Sequence, residues 1–344
     1  MYTHVLLTSS SSRKRRGLKC IRRRNCRRTH TRVCVCHENW SAGGPNSGLL
    51  LESRREVLTT FRARVWLCVY MCVIPPACQA LPTYMSMINT LSYVKDSTGS
   101  DPHPWAVWNR AWTAEENRHG DLLNKYLWVT GRVDMKMVER TTQILLGAGM
   151  DPGTDSNPYL GFVYTSFQER ATKVSHGNTG FHAKRAGDSV LAKICGTIAA
   201  DEARHEKAYC KIVDKFFELD QDQAMIAYAR MIRQQITMPA HLMDDCFHMD
   251  NNNQRTLFAD FSAVAENSGT YTAMDYADIS DHLNKRWRVA ERSGLSGEAA
   301  EAQEYVLKMP ARIRKIAEKS YQRRKKSPKT AKFSWIYERE VGIW

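Results

Sequence analysis

The chain has 344 residues, of which 43% are hydrophobic and 25% charged, and a formal net charge of +14. That apolar share is too large for a disordered chain, and no apolar run reaches the roughly 20 residues of a bilayer span, so a soluble globular protein is predicted. The charge excludes a uniformly basic nucleic-acid-binding domain, because residues 1–79 carry 15 Lys and Arg against Glu38, Glu52 and Glu56, leaving only +2 for the remainder.

The boundary near residue 79 is therefore compositional, and it divides the chain into a basic segment, 1–79, and a main domain, 80–344. Seven of the ten cysteines also lie before it (20, 26, 34, 36, 68, 72 and 78). Four readings of the segment stand. An Arg- and Ser-rich, acid-poor stretch such as SSSSRKRRGLK fits an organellar transit peptide. Clustered Arg suits nucleic acid, although no recognised motif or aromatic interleaving accompanies it. Cys34, Cys36 and His37 suggest a zinc site, but no second CxxC lies at suitable spacing. In the favoured reading the stretch is not native coding sequence, since Pro75-Pro76-Ala77-Cys78-Gln79 is what a translated pyrimidine-rich intron end followed by CAG would give. Val65–Pro76 is apolar but only about a dozen residues long, too short to span a bilayer. Cys195, Cys210 and Cys246 are scattered through the main domain, which suggests a reducing compartment without structural disulfides.

From Ala80 the pattern is helical almost throughout. Ala80–Val94 runs into the breaker DSTGSDPHP, followed by helices at Trp105–Thr130 and Val133–Leu146. Tyr159–Ala186 carries an apolar stripe of Leu160, Phe162, Val163, Phe167, Ala171 and Val174, with Glu169 beside it. Helices at Ser189–Leu219 and Asp222–Gln235 follow, the latter ending near MPAHLM, and HMDNNNQRT is a polar loop. Further helices are predicted at Leu257–Asn267, Thr272–Ser293 and Ser296–Lys308, with strand character only in the last dozen residues. The predicted fold class is all-α, in a single domain long enough to bury a large core.

Two of these helices share one pattern, Glu116-Asn-Arg-His119 and Glu202-Ala-Arg-His205. Residues three apart share a helix face, so each Glu and its His can hold the same metal. Composition alone gives about 0.6 such patterns by chance, so one copy means little and two point to a site. Paired Glu-x-x-His helices with single Glu residues from two others are the arrangement of ferritin-like di-iron bundles. Glu169 on the intervening helix is a rim residue when taken alone. Beside two such pairs it becomes a candidate ligand, because a buried carboxylate needs a partner. Carboxylate-rich ligation suits iron or manganese better than zinc.

The segments WTAEENRHGDLLNKYL, NPYLGFVYTSFQERAT, SHGNT, ICGTIAADEARHEKAY, MPAHLM and FSWIYER together resemble the plant acyl-carrier-protein desaturases, from Ala80 to the end. The resemblance implies a ferritin-like di-iron bundle with two ferrous ions per chain, in which Glu116 and Glu202 bridge both, His119 and His205 each cap one, and Glu169 chelates one. It further implies that Asp201 accepts the ring N–H of His119 and that Thr172 sits beside the dioxygen pocket. Implied partners are an acyl chain on acyl carrier protein, reduced ferredoxin and a second copy of the chain in a homodimer, within the plastid stroma; no nucleic acid or membrane is implied. The family has a sixth ligand, a Glu just before ALPTY, where ungapped alignment places Cys78, with Gln79 replacing a second Glu.

Two alternatives follow from these residues. One is another ferritin-like di-iron oxidase or ferroxidase, which shares the Glu-x-x-His pairs but not the distant matched segments. The other is an inactive remnant, because Cys78 cannot offer the two oxygens of a carboxylate. Trp105, Trp108 and Trp112, at i, i+3 and i+7, read as a core stripe, the alternative being that one of them joins an electron path to iron. His176, His182, His241 and His282 lack a carboxylate at ligand spacing and read as ordinary polar residues. Thr90, Leu91, Gly161 and Phe162 are candidate liners of an acyl tunnel; chain length, resting on about 1–3 kcal/mol per methylene, and double-bond position are not legible.

Overall fold

Pro104 and Pro158 each occupy the first turn of a long helix, where the missing N–H costs nothing and the fixed φ favours helical backbone. In the computed structural model, which describes residues 78–248, 256–326 and 329–343, these proline-started helices and their neighbours form an all-α bundle. In chain order the helices are α1 (Leu81–Ile88), α2 (Pro104–Thr130), α3 (Met135–Ala148), α4 (Pro158–Arg185), α5 (Ser189–Leu219), α6 (Gln221–Gln234), α7 (Leu257–Ser268), α8 (Ala273–Arg286) and α9 (Gly297–Lys326). Short strands β1 (Lys329–Lys332) and β2 (Glu340–Ile343) pair antiparallel, with Lys329 opposite Ile343. The basic segment up to residue 77, its apolar run at 65–76, its Cys34/Cys36/His37 group and most of the HMDNNNQRT loop lie outside the described residues.

Capping chemistry fixes where the long helices begin. Asn157 accepts from the Tyr159 and Leu160 amides at the start of α4, and Asp188 accepts from the Leu191 amide at the start of α5. Only residues 186–188 separate these two helices, and Gly187, at φ 80°, takes the left-handed conformation that so tight a reversal needs. The result is an antiparallel hairpin with the most extensive contact of any helix pair. Asp188 also accepts from Arg132 Nη1 at 2.7 Å and from the Tyr126 hydroxyl, tying the hairpin to the end of α2.

α4 is the central helix. Leu160, Phe162, Val163, Phe167 and Ala171 are buried as the stripe predicts, but so are Tyr164, Thr165, Ser166, Gln168 and Glu169 on its other faces, while Val174 is only half-buried. A helix buried all round belongs in the core of its bundle. One core cluster joins α1, α4, α5, α6 and α8; a second lies under α2, α3, α7 and the C-terminal hairpin, where Phe333 and Trp335 are fully buried.

The elements differ from the sequence reading in four places, the first being that the helix expected over Thr272–Ser293 ends at Arg286, with Arg288 left-handed at φ 49°. Helix α1 stops at Ile88, and Tyr93 takes a φ of 67°, so Ala80–Val94 is a short helix and a turn. α9 passes Pro310 and continues to Lys326, well beyond the predicted Lys308. β1 starts before the last dozen residues, pairing with β2 across Phe333–Arg339. No helix among the described residues is long and apolar enough to cross a membrane.

Candidate metal centre

α2, α4 and α5 bring the predicted residues to one buried point. Glu116 and His119 come from α2, Glu169 from α4, and Glu202 and His205 from α5, with exposures of 7, 0, 1, 2 and 2%. Ligand atoms of Glu116, Glu169, Glu202 and His205 lie within 4.8 Å of one another.

The distances resolve into two halves. His119 Nδ1 lies 3.6 Å from Glu116 Oε2 and 3.4 Å from Glu202 Oε1. His205 Nδ1 lies 3.1 Å from Glu116 Oε1, 3.7 Å from Glu202 Oε2 and 3.3 Å from Glu169 Oε2. Glu116 and Glu202 therefore each turn one oxygen to each histidine, the geometry of a bridging carboxylate. Although Glu116 Oε1 and His205 Nδ1 are 3.1 Å apart, neither makes a hydrogen bond, nor does His119 Nδ1. Buried polar atoms that approach without aligning are what donors directed at a shared third atom show, since orphaned buried groups are otherwise costly. The donor set thus fits a metal site.

Electrostatics supports the same fit. Burial opposes charge on His119, but the carboxylates of Glu116 and Glu202 beside it outweigh burial and raise the imidazole to about 10. His205 is likewise raised far above the ordinary histidine range, against burial, by Glu116, Glu169 and Glu202. Burial pushes Glu169 well above the usual carboxylate range, whereas the two histidines overcome burial at Glu202 and hold it well below. So many buried carboxylates attract positive charge, supplied by protons or by metal.

A second layer fixes the two imidazoles. His119 Nε2 lies 3.1 Å from Asp201 Oδ2, and His205 Nε2 lies 2.9 Å from Glu115 Oε2. Each acid directly precedes the Glu of its own helix that faces both histidines, so α2 holds the histidine of α5 and α5 holds that of α2. Arg204 reaches Asp201 at 2.6 Å and Glu115 at 3.3 Å; Arg118 reaches Asp201 at 3.2 Å and Glu115 at 3.4 Å. Against partial burial, His119 and these arginines keep Asp201 below its usual range. An ionised acid on the far nitrogen directs the imidazole lone pair inward.

Thr172 Oγ1 lies 2.9 Å from Glu202 Oε2, and Trp112 Nε1 donates to Glu169 Oε1 at 3.0 Å. Sequence reasoning missed Trp112, Glu115, Arg118 and Arg204 in these positions. The last three had a signal, because the repeat is longer than Glu-x-x-His: Glu115-Glu-Asn-Arg-His119 and Asp201-Glu-Ala-Arg-His205 share an acid at the start and an Arg before the His. His176, read as an ordinary polar residue, is buried with Nε2 3.9 Å from Glu202 Oε1. His282 sits at the edge, pairing with buried Glu206 at 3.0 Å. Cys78, like His119, is outside the group of four; its backbone lies against Gly120, where an added Cβ would come within 3.3 Å of the Cys78 carbonyl carbon, and burial with the nearby Glu116 and Glu202 pushes its thiol up.

A family model described as fatty acid desaturase matches residues 54–337. The chain belongs to that family. In this fatty acid desaturase family member the match begins upstream of Ala80, where the residue-by-residue resemblance starts. The chain is 60% identical over 265 residues to stearoyl-[acyl-carrier-protein] 9-desaturase 5, chloroplastic, of Oryza sativa subsp. japonica, covering 77% of this chain and 66% of the relative. Stearoyl-[acyl-carrier-protein] 9-desaturase 1, chloroplastic, of Arabidopsis thaliana is 60% identical over 263 residues, 76% of this chain and 65% of that one. Palmitoyl-[acyl-carrier-protein] 4-desaturase 3, chloroplastic, of Ophrys sphegodes is 58% identical over 265 residues, 77% and 65% respectively. The chain thus spans just under two thirds of the curated relatives it matches.

Proposed function

We propose that the chain is a di-iron acyl-[acyl-carrier-protein] desaturase, which introduces a cis double bond into a saturated acyl chain with dioxygen and electrons from reduced ferredoxin. The single observation that carries this reading is the pair of buried carboxylates, Glu116 and Glu202, each with one oxygen toward each histidine. Its supporting finding is the set of relatives named for that reaction. Relatives named 9- and 4-desaturases match at 60% and 58%, so the proposal concerns the reaction and the carrier, not the bond position.

Glu116, His119, Glu169, Glu202 and His205 would hold two iron ions. Iron bound there supplies the oxidising chemistry, reducing dioxygen as two neighbouring methylenes each lose hydrogen, with two electrons from the acyl chain and two from ferredoxin. The residues of the chain do the rest. Asp201 and Glu115 orient the imidazoles, Trp112 fixes Glu169, and the Thr172 hydroxyl, on the Glu202 side, can hand a proton to oxygen at that edge. Apolar side chains of α1 and α4, with Leu91 packed on Gly161, exclude water and set the depth at which a chain could lie. The protein is further assigned to the plastid stroma and to a homodimer, in keeping with the relatives' names and the family resemblance.

Incubating the iron-loaded protein with stearoyl- or palmitoyl-acyl carrier protein, reduced ferredoxin and air should yield a monoenoic acid by gas chromatography and mass spectrometry. Consumption of Fe(II) and dioxygen without unsaturated product would instead favour a ferroxidase.

A further inference from the structure

The two halves of the centre are unequal. The half around His205 has four donors, His205 Nδ1, Glu116 Oε1, Glu202 Oε2 and Glu169 Oε2. The half around His119 has three, His119 Nδ1, Glu116 Oε2 and Glu202 Oε1. The imidazole of His176 stands beside that shorter half, with Nε2 3.9 Å from the same Glu202 Oε1 that faces His119. First-row divalent ions lie about 2.0–2.2 Å from nitrogen and oxygen donors, so two donors to one ion stand no more than about 4.4 Å apart. The separations of 3.4, 3.6 and 3.9 Å on this side all meet that limit.

His176 is 2% exposed; its Nδ1 is buried without a hydrogen-bond partner, and its Nε2 faces Glu202 Oε1 at 3.9 Å. An orphaned buried ring nitrogen is uncommon in a histidine that serves only to pack. It also shares a helix face with the residues already placed, because Glu169, Thr172 and His176 fall at i, i+3 and i+7 on α4. We propose that His176 is the fourth protein donor of the His119 half, coordinating through Nε2, so that α4 supplies one ligand to each ion: Glu169 to one and His176 to the other. This rests on the two-metal reading above. It also assigns the completing ligand to α4 and not to Cys78, which precedes α1.

X-ray absorption on the unaltered, Fe(II)-loaded chain counts imidazole nitrogens without any mutation; three per two irons are expected, and two would overturn the proposal. Anaerobic Fe(II) titration by calorimetry supplies the second arm. His176→Ala and His176→Gln should keep one tight site and weaken the other by at least about tenfold, whereas Cys78→Ser should leave both unchanged. Circular dichroism of each variant separates lost binding from lost fold, and if His176→Ala does not fold, His176→Gln and the absorption count still decide. Two unaltered sites in His176→Gln, or one weakened by Cys78→Ser, would refute the assignment. No tight Fe(II) binding in the unaltered chain would instead refute the two-metal reading itself.

Discussion

Glu115 and Asp201 act on metal only through the histidines they hold, so their removal tests the geometry without deleting a ligand. Glu115→Gln and Asp201→Asn should each weaken Fe(II) binding by about 10–100-fold while the helical content stays unchanged. Equal binding in both variants would show that the imidazoles need no such restraint. Proton counting gives a further check. With its imidazole raised to about 10, His119 carries a proton at neutral pH that an arriving ion must displace. Fe(II) affinity should therefore rise with pH between about 6 and 10, and calorimetry in buffers of different ionisation enthalpy should show proton release; uptake of protons would contradict the assignment. At this scale the sequence carries local information well. Glu116/His119 and Glu202/His205 are legible because residues three apart share a face, and the family resemblance pairs Asp201 with His119, where the structure has them 3.1 Å apart. Trp112 is not, since its hydrogen-bond acceptor, Glu169, is 57 residues away. His176 shows its spacing from Glu169 in the sequence but not its approach to Glu202, 26 residues on.

Among the elements, α4 carries the densest constraints, and its glycines separate packing from propensity. A Cβ at Gly161 would sit 2.6 Å from both Leu91 methyl carbons, and Leu91 is fully buried, whereas a Cβ at Gly177 would meet nothing within 4 Å. Gly161→Ala should cost about 1–3 kcal/mol through overpacking. Gly177→Ala should stabilise by about 0.5–1 kcal/mol through reduced chain entropy. Denaturant unfolding measures both, and a double-mutant cycle of Gly161→Ala with Leu91→Ala should show favourable coupling; additivity would place the strain elsewhere. The helices themselves were legible from apolar periodicity and from breakers such as DSTGSDPHP. α9 was not, because a proline normally ends a helix, yet here Pro310 is buried within one that runs on to Lys326. The C-terminal hairpin escaped for a related reason: Lys329–Lys332 has no strand propensity to speak of and is ordered by pairing with β2 and by the burial of Phe333 and Trp335.

For the molecule as a whole, the centre lies among α2, α4 and α5, so metal should stabilise the bundle and not one helix. Chelation of Fe(II) should lower the thermal midpoint in a single shift, by an amount that grows with the logarithm of free metal before chelation. A midpoint indifferent to metal would mean that the ions bind folded and unfolded chain alike. Fold class was open to sequence reasoning through helical periodicity, and the duplicated motif named residues that converge in the core. The tertiary ties among distant helices, such as Asp188 with Arg132 and Tyr126, had no local signal. The central claim is that α2, α4 and α5 together hold two metal ions, and counting iron tests it most directly. The full chain, loaded anaerobically with Fe(II) and desalted, should retain two irons, and Glu202→Ala should retain few while keeping its helical circular dichroism. A chain that keeps no iron, or a Glu202→Ala variant that still keeps two, would contradict the account.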